Sequence, residues 1–474
     1  MKLPIVQSLS FVLHALKSLD VKINKAQLSN LAMILTAMIL GSGMCLSKIV
    51  ASSLGPCAIN TLSHCFSYAN LNGRFLMKSA LRYSMKIFGL HGVPIKIAID
   101  DTMKHHSKFC KTIYGVYWLF DHVVNSNVHA KCIVFAYLII NDTIRFPIGW
   151  RIFEQVEKAK KDKGEKGVKK WELALELIDD AIEVGFTIEV VLFDSWYCNR
   201  GMAKGLKSRK IHWISEIKAN QIVEFWVQES RKLRKISMNL TQLFQYGKCL
   251  CKEVALGLKI SDKAIEKVLY STSEVAVHIR ALKGIYKLVR SEDNRTGACK
   301  IFITDEVRWE AQKILTLYSC RWLIEEFFKN AKGLYGFEKA NIRKTQGASI
   351  SLFLVSFADL LISIQLYKNV HENPGKGQLT VSAVIAHAQE ENLRNLIPLL
   401  EDETQRKVII DRLLKQLKAQ QSKKRKPRKS LVPVPGTPSP NPDLSSTSPP
   451  SPSDASLRDP ISTENGGSSH EKAA

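Results

Sequence analysis

The chain has 474 residues and a formal net charge of +24 at pH 7, from 68 Lys plus Arg against 44 Asp plus Glu. With 45% hydrophobic residues it has enough apolar content for several folded domains, which excludes a chain disordered throughout, and its basic excess points to a polyanionic partner. Ten cysteines at irregular spacing argue against a disulfide-stapled secreted scaffold and for reduced thiols.

Residues 1–90 are rich in Leu, Met, Ser and Ala with apolar residues at helical spacing, which predicts a small helical N-terminal domain. No clear helix-turn-helix motif can be assigned, although residues 24–47 could supply part of one. The start of the chain lacks the basic region, long apolar stretch and cleavage site of a secretory signal, so a cytoplasmic protein is expected. Residues 31–41 are too short to span a bilayer. Residues 351–366 are longer but carry Asp359 and several serines, so they read as a buried helix and no membrane partner is expected.

An α/β core begins near residue 91. Residues 95–100 read Ile-Lys-Ile-Ala-Ile-Asp and residues 188–194 read Ile-Glu-Val-Val-Leu-Phe-Asp, two short apolar strands that each end in an aspartate. At the carboxyl ends of strands in an open sheet, Asp100 and Asp194 can face a common crevice; an Asp at such a position also serves as a helix cap. His105 and His106 are expected in a loop that meets substrate or solvent. Residues 114–120, 130–140 and 143–149 are further strands, the last two a hairpin.

Residues 157–170 hold seven lysines and two glycines, a solvated loop that is also placed to grip phosphates. A helix over 171–184, a helix near 201–208 and a strand over 211–217 continue a β-α-β arrangement to residue 218. Asp194 and Glu325 lie 131 residues apart, more than a crossover needs. Residues 219–308, with β-prone runs at 275–282, 285–289 and 300–304, are therefore a mostly β insertion domain. Cys249 and Cys251 form a close pair with no second pair to complete a zinc site.

Residues 309–370 resume the core. Tyr318, Arg321, Glu325 and Lys332 are three, four and seven residues apart, which on a continuous helix places them within roughly 60° of one another. Cys320, Leu323, Ile324, Phe327, Ala331 and Leu334 form the opposite, apolar stripe. A carboxylate flanked by Arg and Lys suits a site that meets both a metal ion and a phosphate. Residues 371–417 are a helical segment, and 418–474 begin with a basic run at 423–429 and continue as a Pro/Ser-rich tail that cannot bury a core. That run holds only six of the positive charges, so the basicity is spread over the folded part, and the run itself reads as a nuclear-import signal or a nonspecific DNA tether.

The pattern Tyr318-x2-Arg321-x3-Glu325-x6-Lys332 resembles the Y-R-E-K motif of bacterial DDE transposases of the insertion-sequence-four type. Asp100-Asp101-Thr102 and Asp194-Ser195-Trp196-Tyr197 are similar to that family around its two aspartates. The resemblance covers about residues 90–340. It implies a ribonuclease-H-like core, a catalytic and metal-binding triad of Asp100, Asp194 and Glu325, and two Mg2+ or Mn2+ ions. It also implies a nucleoid-associated bacterial protein that acts as a homodimer on terminal inverted repeats and target DNA. In such enzymes the N-terminal domain helps to bind DNA ends, and a tryptophan in the insertion often stacks on a displaced base. Trp226 is the tryptophan available here, with core packing the expected role.

Carboxylate ligands select hard divalent ions, which can activate water and stabilise a leaving oxygen in phosphodiester cleavage. Asp100 would bridge two ions, with Asp194 and Glu325 each completing one shell. Arg321 and Lys332 would neutralise phosphates, and Tyr318 would donate a hydrogen bond to the DNA backbone. Alternation along the strand lets only one of Asp100 and Asp101 reach the ions, and the family pattern selects Asp100. Two other readings stay open: a DNA nuclease with the same core and no strand transfer, and a noncatalytic DNA-binding protein derived from a transposase.

Overall fold

A computed structural model describes the chain except for residues 1–2, 55–56, 110–112, 122–123, 156–166, 230–231, 247–249, 262–263, 340–341, 373–379 and 422–474. The chain divides into two compact units, Met1–Gln420 and Gln421–Ala474. The basic run and Pro/Ser-rich tail expected beyond residue 418 lie almost entirely outside the described residues.

Five helices open the chain: α1 (Ser10–Lys17), α2 (Lys25–Ile39), α3 (Leu46–Ser52), α4 (Ile59–Tyr68) and α5 (Gly73–Phe88). Asn24 caps α2 by accepting from the Gln27 amide while Gln27 answers with its own side chain, a reciprocal capping box. Asn72 caps α5, which ends at Gly89 in the left-handed region with φ 64°. The buried face of α5, including Leu76, Ala80, Leu81 and Phe88, lies against a long helix near the end of the unit, Thr345–Glu372. The two backbones meet at Gly73, where a Cβ would stand 2.4 Å from the Ser349 carbonyl oxygen, so only glycine permits the contact.

The core strands are β1 (Pro94–His105), β2 (Tyr117–Asp121), β3 (Ser126–Ile139), β4 (Arg145–Ile152), β5 (Thr187–Phe193) and β6 (His212–Glu216). β3 pairs antiparallel with β1 and with β4, and it also carries β2. β5 runs parallel to β1, and β6 parallel to β5. Two helices, α6 (Lys170–Val184) and α7 (Arg200–Ser208), supply the crossovers into β5 and β6. Gly201 and Gly205 let α7 approach α6, because a Cβ there would clash with Trp171 and Leu175.

Residues beyond β6 form β7 (Ile222–Glu229), β8 (Lys232–Asn239), the short helix α8 (Leu240–Tyr246), β9 (Leu250–Ser261), β10 (Ala264–Ile279), β11 (Gly284–Asp293) and β12 (Cys299–Thr304). β12 pairs antiparallel with β6, so these strands extend the core sheet to twelve strands. Period-two alternation divides β5 between two apolar clusters. Val191 and Phe193 join the large core, whereas Val190 and Leu192 pack on the other face with Ile214, Phe302 and the helix α9 (Ala311–Ser319).

Then follow α10 (Trp322–Gly333), α11 (Thr345–Glu372), α12 (Val381–Glu401) and α13 (Glu403–Gln421). The helical segment expected over 371–417 is thus two helices, with the chain extended at Asp402 (ψ 121°). By length and composition α11 could cross a membrane, but 89% of its most apolar window is buried within the protein. Apolar on all sides, it is a core helix. Its Asp359 accepts hydrogen bonds from the Tyr137 and Tyr335 hydroxyls, each at 3.0 Å.

Candidate active site

The β1–β5 register pairs Ile99 with Phe193, so the next residue on each strand, Asp100 and Asp194, emerges at the same end of the sheet. Both line an open cavity of about 520 Å³, together with Asp101, Lys170, Trp196 and Lys332. The chain around Asp194 is fixed at two points. Its Oδ1 accepts from the Trp196 amide at 3.1 Å, and the Ser215 hydroxyl donates to its carbonyl at 3.0 Å. Asp100 Oδ1 accepts from the Asp101 amide at 2.8 Å.

Arg321 joins the strand to the helix. Its Nη1 donates to Asp100 Oδ2 at 2.9 Å and its Nη2 to Glu325 Oε1 at 2.5 Å. Burial pushes the Asp100 carboxyl up to about 7; the Arg321 charge opposes that rise, and the carboxylates of Asp194 and Asp101 add to it. Asp194 is raised as well, by burial first and then by Asp101. These are the marks of a carboxylate cluster short of positive charge.

The structure corrects the expectation of one polar helical face. Tyr318 lies on α9 and Glu325 on α10, with Cys320 and Arg321 in a tight turn between them. There the amides of Cys320, Arg321, Leu323 and Ile324 bond three residues back rather than four. Such bonding advances the chain faster than 100° per residue and rotates Tyr318 out of line. Tyr318 is buried in the second apolar cluster, and its hydroxyl donates to the Phe193 carbonyl at 3.4 Å. It braces the end of β5 and is not presented to a DNA backbone.

In the expected metal triad of Asp100, Asp194 and Glu325, a guanidinium lies between the first and the last. Among the described residues no three His, Cys, Asp or Glu side chains converge to hold a metal ion. Asp100 and Asp194 share the cavity, while the Arg321 guanidinium stands between Asp100 and Glu325 and supplies the positive charge they share. The oxygen-only donors of Asp100 and Asp194, and the raised Asp100 pKa, suit a hard divalent cation. Lys332 reaches the cavity wall, with its Nζ 3.9 Å from Glu338.

Several residues at the site escaped the sequence. Asp101 accepts from Lys170 Nζ at 2.8 Å, Tyr197 Oη at 2.9 Å and Cys132 Sγ at 3.2 Å. Lys170 closes the lysine-rich run and Tyr197 lies three residues after Asp194, which were the available hints. Glu326 is not a free neighbour of Glu325, since Arg145 Nη1 holds it at 2.5 Å. His105 ends β1 instead of sitting in a loop, with Nε2 2.6 Å from Asp121. His106 has a buried Nε2, and burial lowers its pKa to about 4. Trp226, expected to pack in the core, is 64% exposed on β7. Most of the lysine-rich run (156–166), Cys249 and the Cys251 side chain lie outside the described residues.

Paired aspartates at the ends of adjacent parallel strands, tied through an arginine to a helical glutamate, form a carboxylate site of the kind that serves phosphoryl chemistry. Comparison with protein families gives the same class. The chain is similar to the DDE superfamily endonuclease model over residues 25–232 and to the transposase DDE domain model over residues 166–361. The first span contains Asp100 and Asp194, and the second contains Asp194 and Glu325. Together they support a nucleic-acid-cleaving enzyme of the DDE kind. No curated protein matches the chain.

Proposed function

We propose that this chain is a cut-and-paste DNA transposase of the insertion-sequence-four type, cleaving DNA at transposon ends and joining the exposed 3′ hydroxyl to target DNA. The observation that carries this reading is that Asp100 and Asp194 line one cavity while Arg321 ties Asp100 to Glu325, in a strongly basic chain. On this reading residues 91–218 and 309–370 are the two parts of a ribonuclease-H-like core. Support comes from three antiparallel strands followed by two parallel ones. Residues 219–308 are an inserted β domain and residues 1–90 a helical domain that engages DNA ends. The working form is a homodimer on the DNA of a bacterial nucleoid.

Asp100 and Asp194 would hold Mg2+ or Mn2+, and Glu325 would join them once Arg321 turns toward phosphate. Bound there, the ions supply an activated nucleophile and a stabilised leaving oxygen. The remaining work belongs to the protein. Arg321 and Lys332 hold phosphates beside the carboxylates, and Lys170 holds Asp101 in an ion pair at 2.8 Å. Tyr318 and Ser215 fix the end of β5 so that Asp194 keeps its place.

A joining assay tests the reading against a nuclease without strand transfer. Purified protein is given a precut duplex from the inverted repeats that flank the gene, with a plasmid target and Mg2+. Joined product is expected. Cleavage of uncut ends with no joining of precut ones would favour the nuclease, and binding without cleavage would favour a noncatalytic DNA-binding protein.

A further inference from the structure

A second concave site lies on the far side of β6. Helix α7 has the sequence Arg-Gly-Met-Ala-Lys-Gly-Leu-Lys-Ser, and its three side-chain types separate by face. Met202, Ala203 and Leu206 are buried, Gly201 and Gly205 meet α6, and Arg200, Lys204 and Lys207 form a row at i, i+4 and i+7. That row forms one wall of a cavity of about 330 Å³. The facing wall is the β10–β11 turn with Lys283, Gly284, Ile285 and Tyr286, and Trp213 lies at the base.

Charge is what sets this cavity apart. Four cations face it, and none of the four has an ion pair among the described residues. The one acid in its lining, Asp305, is already engaged by the Trp213 amide at 2.9 Å and His212 Nδ1 at 3.0 Å. The next basic residue after α7, Arg209, is by contrast neutralised by Asp179. Lys283 also holds a left-handed backbone, φ 55°, which a lysine adopts only at a cost. Unpaired exposed lysines are ordinarily just a solvated face. A convergent row of three cations opposite a strained lysine, against the single carboxylate of Asp305, is a preformed cradle for an extended anion.

We infer that Arg200, Lys204, Lys207 and Lys283 bind the phosphate backbone of a DNA segment separate from the one held at Asp100 and Asp194. The inference rests on the proposed DNA-cleaving function. Backbone contacts of this type confer no sequence preference and release one counterion set per phosphate neutralised.

The test uses the full chain and a random-sequence duplex, with binding measured from low to physiological salt. The variant Arg200→Gln/Lys204→Gln/Lys207→Gln/Lys283→Gln should flatten the slope of log affinity against log salt by about 3 to 4, at about 0.9 per lost contact. A charge-matched control, Lys368→Gln/Arg394→Gln/Arg406→Gln/Lys407→Gln, should leave the slope near wild type. Lys283→Gly separates folding from binding. It relieves the left-handed backbone and should hold or raise Tm, while removing about 0.9 from the slope.

A quadruple variant with wild-type slope overturns the inference, as does one that keeps DNA affinity but loses binding to poly-glutamate, measured alongside as a probe for an acidic protein partner. In either case wild-type protein that still cleaves DNA leaves the proposed function standing. Wild-type protein that binds no DNA removes both.

Discussion

Glu325 and Glu326 are adjacent in sequence yet do different work. Glu325 shares Arg321 with Asp100, whereas Glu326 neutralises Arg145, which lies close to the buried Asp359. Glu325→Gln should therefore lower cleavage on the order of a thousandfold, about 4 kcal/mol of transition-state stabilisation, while DNA binding holds. Glu326→Gln should leave the rate per folded molecule unchanged and cost about 1 kcal/mol of stability, because its partner is half-buried and Glu326 itself is partly exposed. Urea denaturation beside single-turnover cleavage separates the two. A slow but fully stable Glu326→Gln protein would show that the roles are misassigned.

Asp100 and Asp101 divide in the same way. Asp101→Asn removes the charge that pairs with Lys170 and one of the two oxygens that accept from Lys170, Tyr197 and Cys132, and should lower Tm while keeping the rate within about tenfold of wild type. An Asp101→Asn enzyme that is stable but dead would reverse this assignment.

At the scale of elements, the two aspartate strands were legible because each is an apolar run closed by a carboxylate, and parallel pairing then brings the ends together. β1 nonetheless runs on to His105, since pairing with β3 carries its polar half, a tertiary effect with no local signature. The break between α9 and α10 was hidden for a related reason. Cys320 stays in the right-handed helical region, φ −63° and ψ −21°, but at 3-10 rather than α values, a tightening of one turn that residue spacing does not encode. Arg145 with Glu326 and Lys170 with Asp101 were illegible because such partners meet only after the sheet forms. The exposure of Trp226 has no local signature either, because an aromatic in a β-prone run fits either face until the pairing of β7 is known.

Helix α11 permits a test in pH. Burial pushes Asp359 up to about 6, opposed by the Arg145 charge and the two tyrosine hydroxyls. Its folded pKa exceeds the ordinary 3.8, so the folded state holds the proton more tightly between these values. The stability this gives is present below about pH 4 and is lost as pH rises through about 6. Asp359→Asn removes that dependence. From pH 4 to 7.5 the variant should gain on wild type by on the order of 2–3 kcal/mol in urea unfolding. Parallel stability curves for the two proteins would contradict it.

For the whole molecule, the core is closed by elements that end well before the tail. The buried apolar residues run from Ile5 to Ile409 among the described residues, and the clusters join α1 to α12 around the sheet. Residues 430–474 lack the apolar content to extend that core. Their removal should leave Tm and cleavage unchanged, and loss of soluble protein on truncation would show that the tail stabilises the fold.

On the proposed function, carboxylates drawn from β1, the end of β5 and α10 act together to cleave DNA. The most direct measurement compares wild type, Asp100→Asn, Asp194→Asn and Glu325→Gln on a duplex from the inverted repeats flanking the gene, with Mg2+ and with chelator. Gel shift is run on the same DNA. Wild type should cut only with the metal, and each variant should fall by on the order of a thousandfold or more while its DNA affinity holds. Full-rate cutting in chelator, or by any one of the three variants, would contradict the account.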